Sequence, residues 1–170
     1  MNIIVRPHGS SLCYCRPDTT WERENKDFYS PECVNEIYCT HVVTARVSKA
    51  GKCIGEKFVS RYYDAIGQGA LLYCYTDQGN RESAMAFAAC ADHTSRLPMP
   101  QHNPEVMDEA TRKLVEDAIC KASQMTSLRI GDFIAVELTS QELVASRNTG
   151  DACFKKICSD NEVLDFKILF

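Results

Sequence analysis

The chain has 170 residues and 19 Lys+Arg against 23 Asp+Glu, a formal net charge of −4, which is one domain's length and enough for a core that needs no metal or disulfide staple. Apolar residues at 45% and charged residues at 25% exclude a disordered chain, and the mild acidity argues against a broad phosphate-binding surface for nucleic acid. No apolar run approaches the roughly 18 residues of a membrane span, and the Met1 to Pro7 segment is too soon broken for a signal peptide. The expectation is a cytoplasmic protein with no membrane contact.

Asn2 to Val5 reads as a short strand ended by Arg6-Pro7-His8-Gly9. From Ser10 to Cys33, prolines and Asp/Asn residues interrupt any periodicity, predicting a long loop or extended arm. Glu36 to Val47 alternates Ile37, Cys39, His41, Val43, Ala45 and Val47 against the residues between them, the strongest strand pattern in the chain. A turn at 49–52, a short helix over Glu56 to Tyr63 and an apolar strand over Ala70 to Tyr75 follow. Arg81 to Ala91 is alanine-rich and predicts a helix. Asn103-Pro104-Glu105 combines an N-cap residue, a proline and an early acid, which starts a helix well. Ala110, Leu114, Ala118, Ala122 and Met125 at helical spacing, with three i,i+4 charge pairs, extend it to about five turns. Strands return at Phe133 to Leu138, Cys153 to Cys158 and Val163 to Leu169, with a turn at 159–162. Strands, then helices, then strands describe an α+β fold rather than alternating βαβ units, and neither a repeat nor a composition shift divides residues 1–170.

Ten cysteines are many for this length, yet none forms C-x-x-C, the hook by which two thiolates reach one tetrahedral zinc. Free, mostly buried thiols in a reducing compartment are expected.

Several segments, taken in order, resemble the fumarylacetoacetate hydrolase family, in its branch of small bacterial hydrolases, isomerases and decarboxylases of dicarbonyl acids. Arg16-Pro17-Asp18-Thr19 is similar to that branch's K-P-D-T, and Glu36-Ile37-Tyr38-Cys39-Thr40-His41-Val42-Val43 sits where members carry E-I-H-Y-E-V-E-L. Glu56-Lys57-Phe58 with Arg61 to Gly67, Leu128 to Ile134, Gly150-Asp151 and Leu164 to Ile168 match further segments in register. The resemblance implies a mixed β-sheet roll of that family's type, shortened, with one long helix.

It also implies a site whose chemistry is gone. Members hold Mg²⁺ or Mn²⁺ through an E-x-E pair and a later Asp, because a hard cation needs oxygen ligands and alternate strand positions face one way. Those positions are Thr40, Val42 and Leu71 here, and the substrate-binding Lys falls on Met85. The lid segment with its His has no counterpart between Arg6 and Arg16. The family's T-G-T-P turn reads Val136-Glu137-Leu138-Thr139, and only Ala91 to Asn103 stands in for a hairpin.

The remaining sharp readings weigh less than bland ones. His41 and Cys39 point to the opposite strand face from Thr40 and Val42; a β-bulge would bring them round to join Cys74 or Asp77 as zinc ligands. Cys90 with Asp92-His93 suggests a Cys/His nucleophile, but near-adjacent residues rarely have the geometry for activation. The Tyr62/Tyr63 and Tyr73/Tyr75 pairs read as core aromatics without a basic stripe beside them, Asp151 and Asp165 as turn and strand-edge residues. The expected protein is therefore a catalytically degenerate family member without catalytic residues, metal or cofactor, associating as a homodimer or with an intact relative. Two alternatives stay open: a metal-independent hydrolase or tautomerase, and a module binding a dicarbonyl or aromatic acid in the emptied pocket.

Overall fold

A computed structural model of the chain describes residues 1–76, 81–159 and 162–170, with the side chains of 81–84, 157–159, 162 and 163 left out. Two long antiparallel strands, β5 (Glu36–Val47) and β6 (Tyr63–Tyr75), form its spine; β1 is Ile3–Arg6, β2 Tyr14–Arg16, β3 Trp21–Glu22, β4 Phe28–Tyr29, β7 Ser95–Arg96, β8 Phe133–Glu137, β9 Glu142–Ser146, β10 Ala152–Ser159 and β11 Glu162–Leu169. The large sheet runs β2-β1-β8-β5-β6-β7-β3, parallel only at β1/β8 and β3/β7, and a second sheet runs β10-β11-β4. The helices are α1 (Arg81–Ala88) and α2 (Glu109–Met125). The architecture is α+β with a curled mixed sheet and one long helix, as the sequence predicts. Among the described residues no helix is long and apolar enough to cross a membrane.

Period-two alternation turns the odd-numbered residues of β5 to one face, where they enter two cores along its length, and the even-numbered ones to the other. Val43, Ala45 and Val47 pack with Ile134 and Val136 against Val115 and Ile119 of α2, while Ile37 and Cys39 meet Ala70, Leu72 and Cys74 beneath Phe166 and Ile168 of the small sheet. The opposite face carries Val42, Leu71, Tyr73, Ile3, Val5, Phe133 and Ala135, partly covered by Met85 of α1 and by Trp21.

The Ser10 to Cys33 segment is not the structureless arm expected. It contains β2, β3 and β4, whose partners are β1, β7 and β11; strands of two or three residues owe their existence to remote pairing and leave no local period. β6 begins at Tyr63, seven residues before its predicted start, because Gly67 and Gly69 mask the pattern. Gly69 is needed there: a Cβ would lie 2.6 Å from the Arg96 carbonyl oxygen as β7 crosses β6.

Asn103 caps only a 3₁₀ turn at Pro104–Val106, and Asp108 is the N-cap of α2, accepting from Thr111 N at 2.9 Å. Two i,i+4 pairs form, Lys113–Glu109 and Lys121–Asp117, both 2.7 Å. Asp108 is spent on the cap, and Arg112 turns to the carbonyls of Pro104, Glu105 and Met107. Leu114 and Met125, predicted to be core residues, are exposed, and Val115 and Ile119 take the buried stripe. The Glu56 to Tyr63 helix is a 3₁₀ helix over Glu56–Arg61, α1 ends at Ala88, and β9 had no sequence signal. The turn predicted at 159–162 lies partly outside the described residues. Of the nine described cysteines, all free, only Cys39, Cys74 and Cys120 are buried. The thiols are therefore mostly accessible, contrary to expectation, because several lie in the short strands and turns.

Candidate functional site

In the antiparallel register Thr40 stands opposite Leu71, Tyr38 opposite Tyr73, and Val42 opposite both Gly69 of β6 and Glu137 of β8. Directly opposed residues project to one face, so the topology brings Thr40, Val42 and Leu71 together, and Met85 packs against the same cluster. All four predicted positions thus share one locality. Thr40, Val42 and Leu71 are at most 1% exposed. Val42 and Leu71 offer hydrocarbon, and the Thr40 hydroxyl donates to the Thr139 carbonyl at 2.7 Å.

The chain leaves β8 immediately after Glu137, with Leu138 N donating to the His41 carbonyl at 2.8 Å, and rejoins β5 as β9 opposite Cys39. Glu137 therefore sits where the sheet opens. It is 5% exposed. Its Oε1 accepts the Tyr73 hydroxyl proton and its Oε2 accepts His8 N at 3.0 Å. The Tyr14 and Tyr73 hydroxyl oxygens are 2.5 Å apart, giving a chain of three side chains from Tyr14 through Tyr73 to Glu137. Beneath it the Arg16 guanidinium lies over the Tyr73 ring, 4.6 Å from its centroid, and donates to the Leu72 carbonyl at 2.7 Å and Ser95 Oγ at 3.0 Å. Sequence reading assigned no role to Glu137 or to the Arg16 side chain; the signal for the first was a carboxylate inside the apolar run Phe133 to Leu138.

Burial raises both phenols above the usual tyrosine range, opposed by the Arg16 charge. Burial also pushes the Cys74 thiol up to about 12 and the Tyr63 hydroxyl up to about 12. In each case the folded chain holds a proton that the unfolded chain releases, so the stabilisation is complete below the unfolded pKa and is lost as pH rises through the folded one, at ~1.4 kcal/mol per unit of pKa difference. Unfolding in urea should show a constant midpoint up to about pH 8.5 and a steep loss from about pH 9 toward 12, the reference ranges of thiol and phenol. A midpoint that is flat to pH about 11 would contradict these buried assignments.

Glu137 lines a cleft of about 800 Å³ together with Pro7, His8, Tyr75, Met85, Ser140 and Gln141. The Tyr75 hydroxyl donates to Gln141 Oε1 at 2.8 Å, and its ring meets Tyr38 edge-on with centroids 5.4 Å apart. The Pro7–His8 strap is anchored from behind: Arg6 donates to the Ser10 carbonyl at 3.0 Å and pairs with Asp117 of α2 at 2.7 Å.

The other sequence candidates are not assembled into sites. β5 keeps its register with β6 from Glu36 to Arg46, so Cys39 and His41 stay on the far face; Cys39 is buried with Cys74, and the His41 ring lies 6.2 Å from that of Phe154. Asp77 lies outside the described residues. Among the described residues no three His, Cys, Asp or Glu side chains converge. Cys90 is exposed, and His93 Nδ1 is 3.3 Å from Glu22 Oε2. Asp165 pairs with Lys155 at 2.9 Å and Asp151 accepts from Phe170 N. A hard divalent cation of the kind the resemblance implies wants several oxygens, and at Thr40, Val42 and Leu71 it would meet one engaged hydroxyl. Glu137 supplies the nearest carboxylate among the described residues of this face. These residues do not fit such an ion.

No family model and no curated protein sequence matches the chain, but its fold has clear counterparts. A protein from Yersinia pestis CO92 assigned to the fumarylacetoacetate hydrolase family superposes with a TM-score of 0.78 at 12% identity, over 99% of this chain and 92% of that one. The 2-hydroxyhepta-2,4-diene-1,7-dioate isomerase of Mycobacterium marinum gives 0.80 at 10% identity, over 99% and 74%. Fumarylpyruvate hydrolase from Pseudomonas aeruginosa, in complex with Mn²⁺ and pyruvate, gives 0.74 at 10% identity, over 100% and 90%. The chain has the fold of fumarylacetoacetate hydrolase family hydrolases and isomerases, and the expected β-sheet roll is the one found.

Proposed function

We propose that the chain is a catalytically degenerate protein of this fold, acting by association rather than by metal-dependent turnover of dicarbonyl acids. One observation carries the reading: Val42 and Leu71 are packed hydrocarbon and the Thr40 hydroxyl is engaged, at the positions where the resemblance places three metal-binding carboxylates. Enolate chemistry on an acylpyruvate draws its largest stabilisation from a Lewis acid or preorganised donors at the developing oxyanion. Neither Val42 nor Leu71 can supply that. With turnover gone, the surface is what is left to act. β2 and β10 stand at the ends of their sheets, where open edges invite pairing, and Leu12, Tyr29, Met125 and Ile130 are exposed. A second copy of the chain, or an intact protein of the same fold, is the proposed partner.

The test has two arms. Acylpyruvate hydrolysis should stay at the buffer rate with or without added Mg²⁺ or Mn²⁺, and light scattering on reduced protein should give twice the monomer mass. Metal-stimulated turnover abolished by a change in the cleft would overturn the degenerate reading; a clean monomer with no partner would overturn the associative one. A second reading, that the cleft binds a small molecule, is favoured by its volume of about 800 Å³, which lies within the usual range of ligand sites.

A further inference from the structure

From the chemistry of the cleft we infer that it is a site for an organic ammonium ion carrying an aromatic or apolar body, not for the anionic dicarbonyl acids handled by enzymes of this fold. The inference rests on the reading that no hard cation is held at Thr40, Val42 and Leu71, since a metal there would neutralise the pocket and favour an acid.

Three features carry it. Glu137 lines the cleft with two donors on its carboxylate, the Tyr73 hydroxyl and His8 N. A carboxylate has about four acceptor directions, so capacity remains for the N–H groups of a ligand. The Arg16 guanidinium is engaged elsewhere, over the Tyr73 ring and bonded to the Leu72 carbonyl and Ser95 Oγ. Neither Lys nor Arg lines the cleft among the described residues. Among the described residues of the lining, an acid entering would therefore meet the buried Glu137 carboxylate with the His8 side chain as its one basic group, a like-charge encounter in a low-dielectric setting.

The walls suit a cation equally. The Tyr75 ring is fixed by its hydrogen bond to Gln141 and by the edge of Tyr38, and an aromatic face held rigid attracts ammonium groups. Met85 contributes a polarizable thioether to the lining, at the position where the resemblance implies a lysine, so the one difference both removes a cation and adds apolar contact. With Glu137 as the anionic anchor, Tyr75 as the ring wall and Met85 over the apolar body, the cleft has the parts of an arylalkylamine site. Charge-assisted hydrogen bonds of this kind contribute enough to change affinity by about tenfold to a hundredfold.

The experiment is calorimetric titration of the full chain, in chelator to exclude metal, with phenethylamine and with phenylacetate, an acid of the same size. Phenethylamine should saturate the protein and phenylacetate should not at the same concentrations. Glu137→Gln should weaken the amine by about tenfold or more. Met85→Lys, which leaves the buried chain of Tyr14, Tyr73 and Glu137 untouched, should weaken it as well and so keeps the test open if the Glu137 variant does not fold. No saturation by phenethylamine at millimolar concentration, equal or tighter binding of phenylacetate, or amine binding indifferent to both variants would overturn the inference alone. Acid binding that appears only when Mn²⁺ replaces the chelator would instead overturn the degenerate reading on which it rests.

Discussion

Val42→Glu, which places a carboxylate where the resemblance puts the second glutamate of the metal pair, should destabilise the protein by about 3–5 kcal/mol. Val42 is 1% exposed and stands directly across β5/β8 from Glu137, so the new carboxylate would be a cross-strand neighbour of an existing one. Two like charges at that spacing in a buried setting cannot both ionise without a large cost. The outcome should depend on pH with a definite sign. The new group's folded pKa is raised, so folding is favoured below its unfolded pKa and the loss develops as pH rises through the folded value. Added Mn²⁺ should not restore stability, because Thr40 and Leu71 contribute no carboxylate to complete a site. Urea unfolding at acidic and neutral pH, with and without Mn²⁺, is the measurement; full recovery with stoichiometric metal would show that the cavity still has a cation's geometry.

Arg16→Met should also be damaging, by about 2–4 kcal/mol, through buried acceptors left without a donor. Arg16 is 1% exposed, and its removal leaves the Leu72 carbonyl and the Ser95 hydroxyl short of a donor. Buried acceptors stripped of a charged donor cost more than the packing gained from a thioether of similar length. Arg46→Met is the control, because its two 3.0 Å bonds to Asp64 lie at the surface, where screening and side-chain entropy leave less than about 1 kcal/mol. Equal losses from the two substitutions, read from urea midpoints, would mean that the Arg16 guanidinium does not anchor the site.

The parts of this fold legible in the sequence were those with a strong local period or a segment-by-segment resemblance. β5 alternates cleanly, and once its strand state is known, residues 40 and 42 must share a face. Leu71 joins them only through the β5/β6 register, which the resemblance supplied. Glu137 is not legible because its meaning is non-local: the sheet opens just after it, and its two donors come from positions 8 and 73. The three short strands of the 10–33 segment were invisible for the same reason, as each is defined by a partner far away in the chain. The start of α2 is ambiguous in the sequence because Asn103 and Asp108 are both good caps, and only the fold shows that Asn103 closes a 3₁₀ turn.

If this face of the sheet holds no hard cation, as proposed, Mn²⁺ should find no specific site on the purified, reduced chain. Electron paramagnetic resonance of free Mn²⁺ during titration should fall only in proportion to weak, non-saturating surface binding, and the signal should be the same for the wild type and for Thr40→Ala. A single saturable site of unit stoichiometry, weakened by Thr40→Ala or Glu137→Gln, would contradict the account.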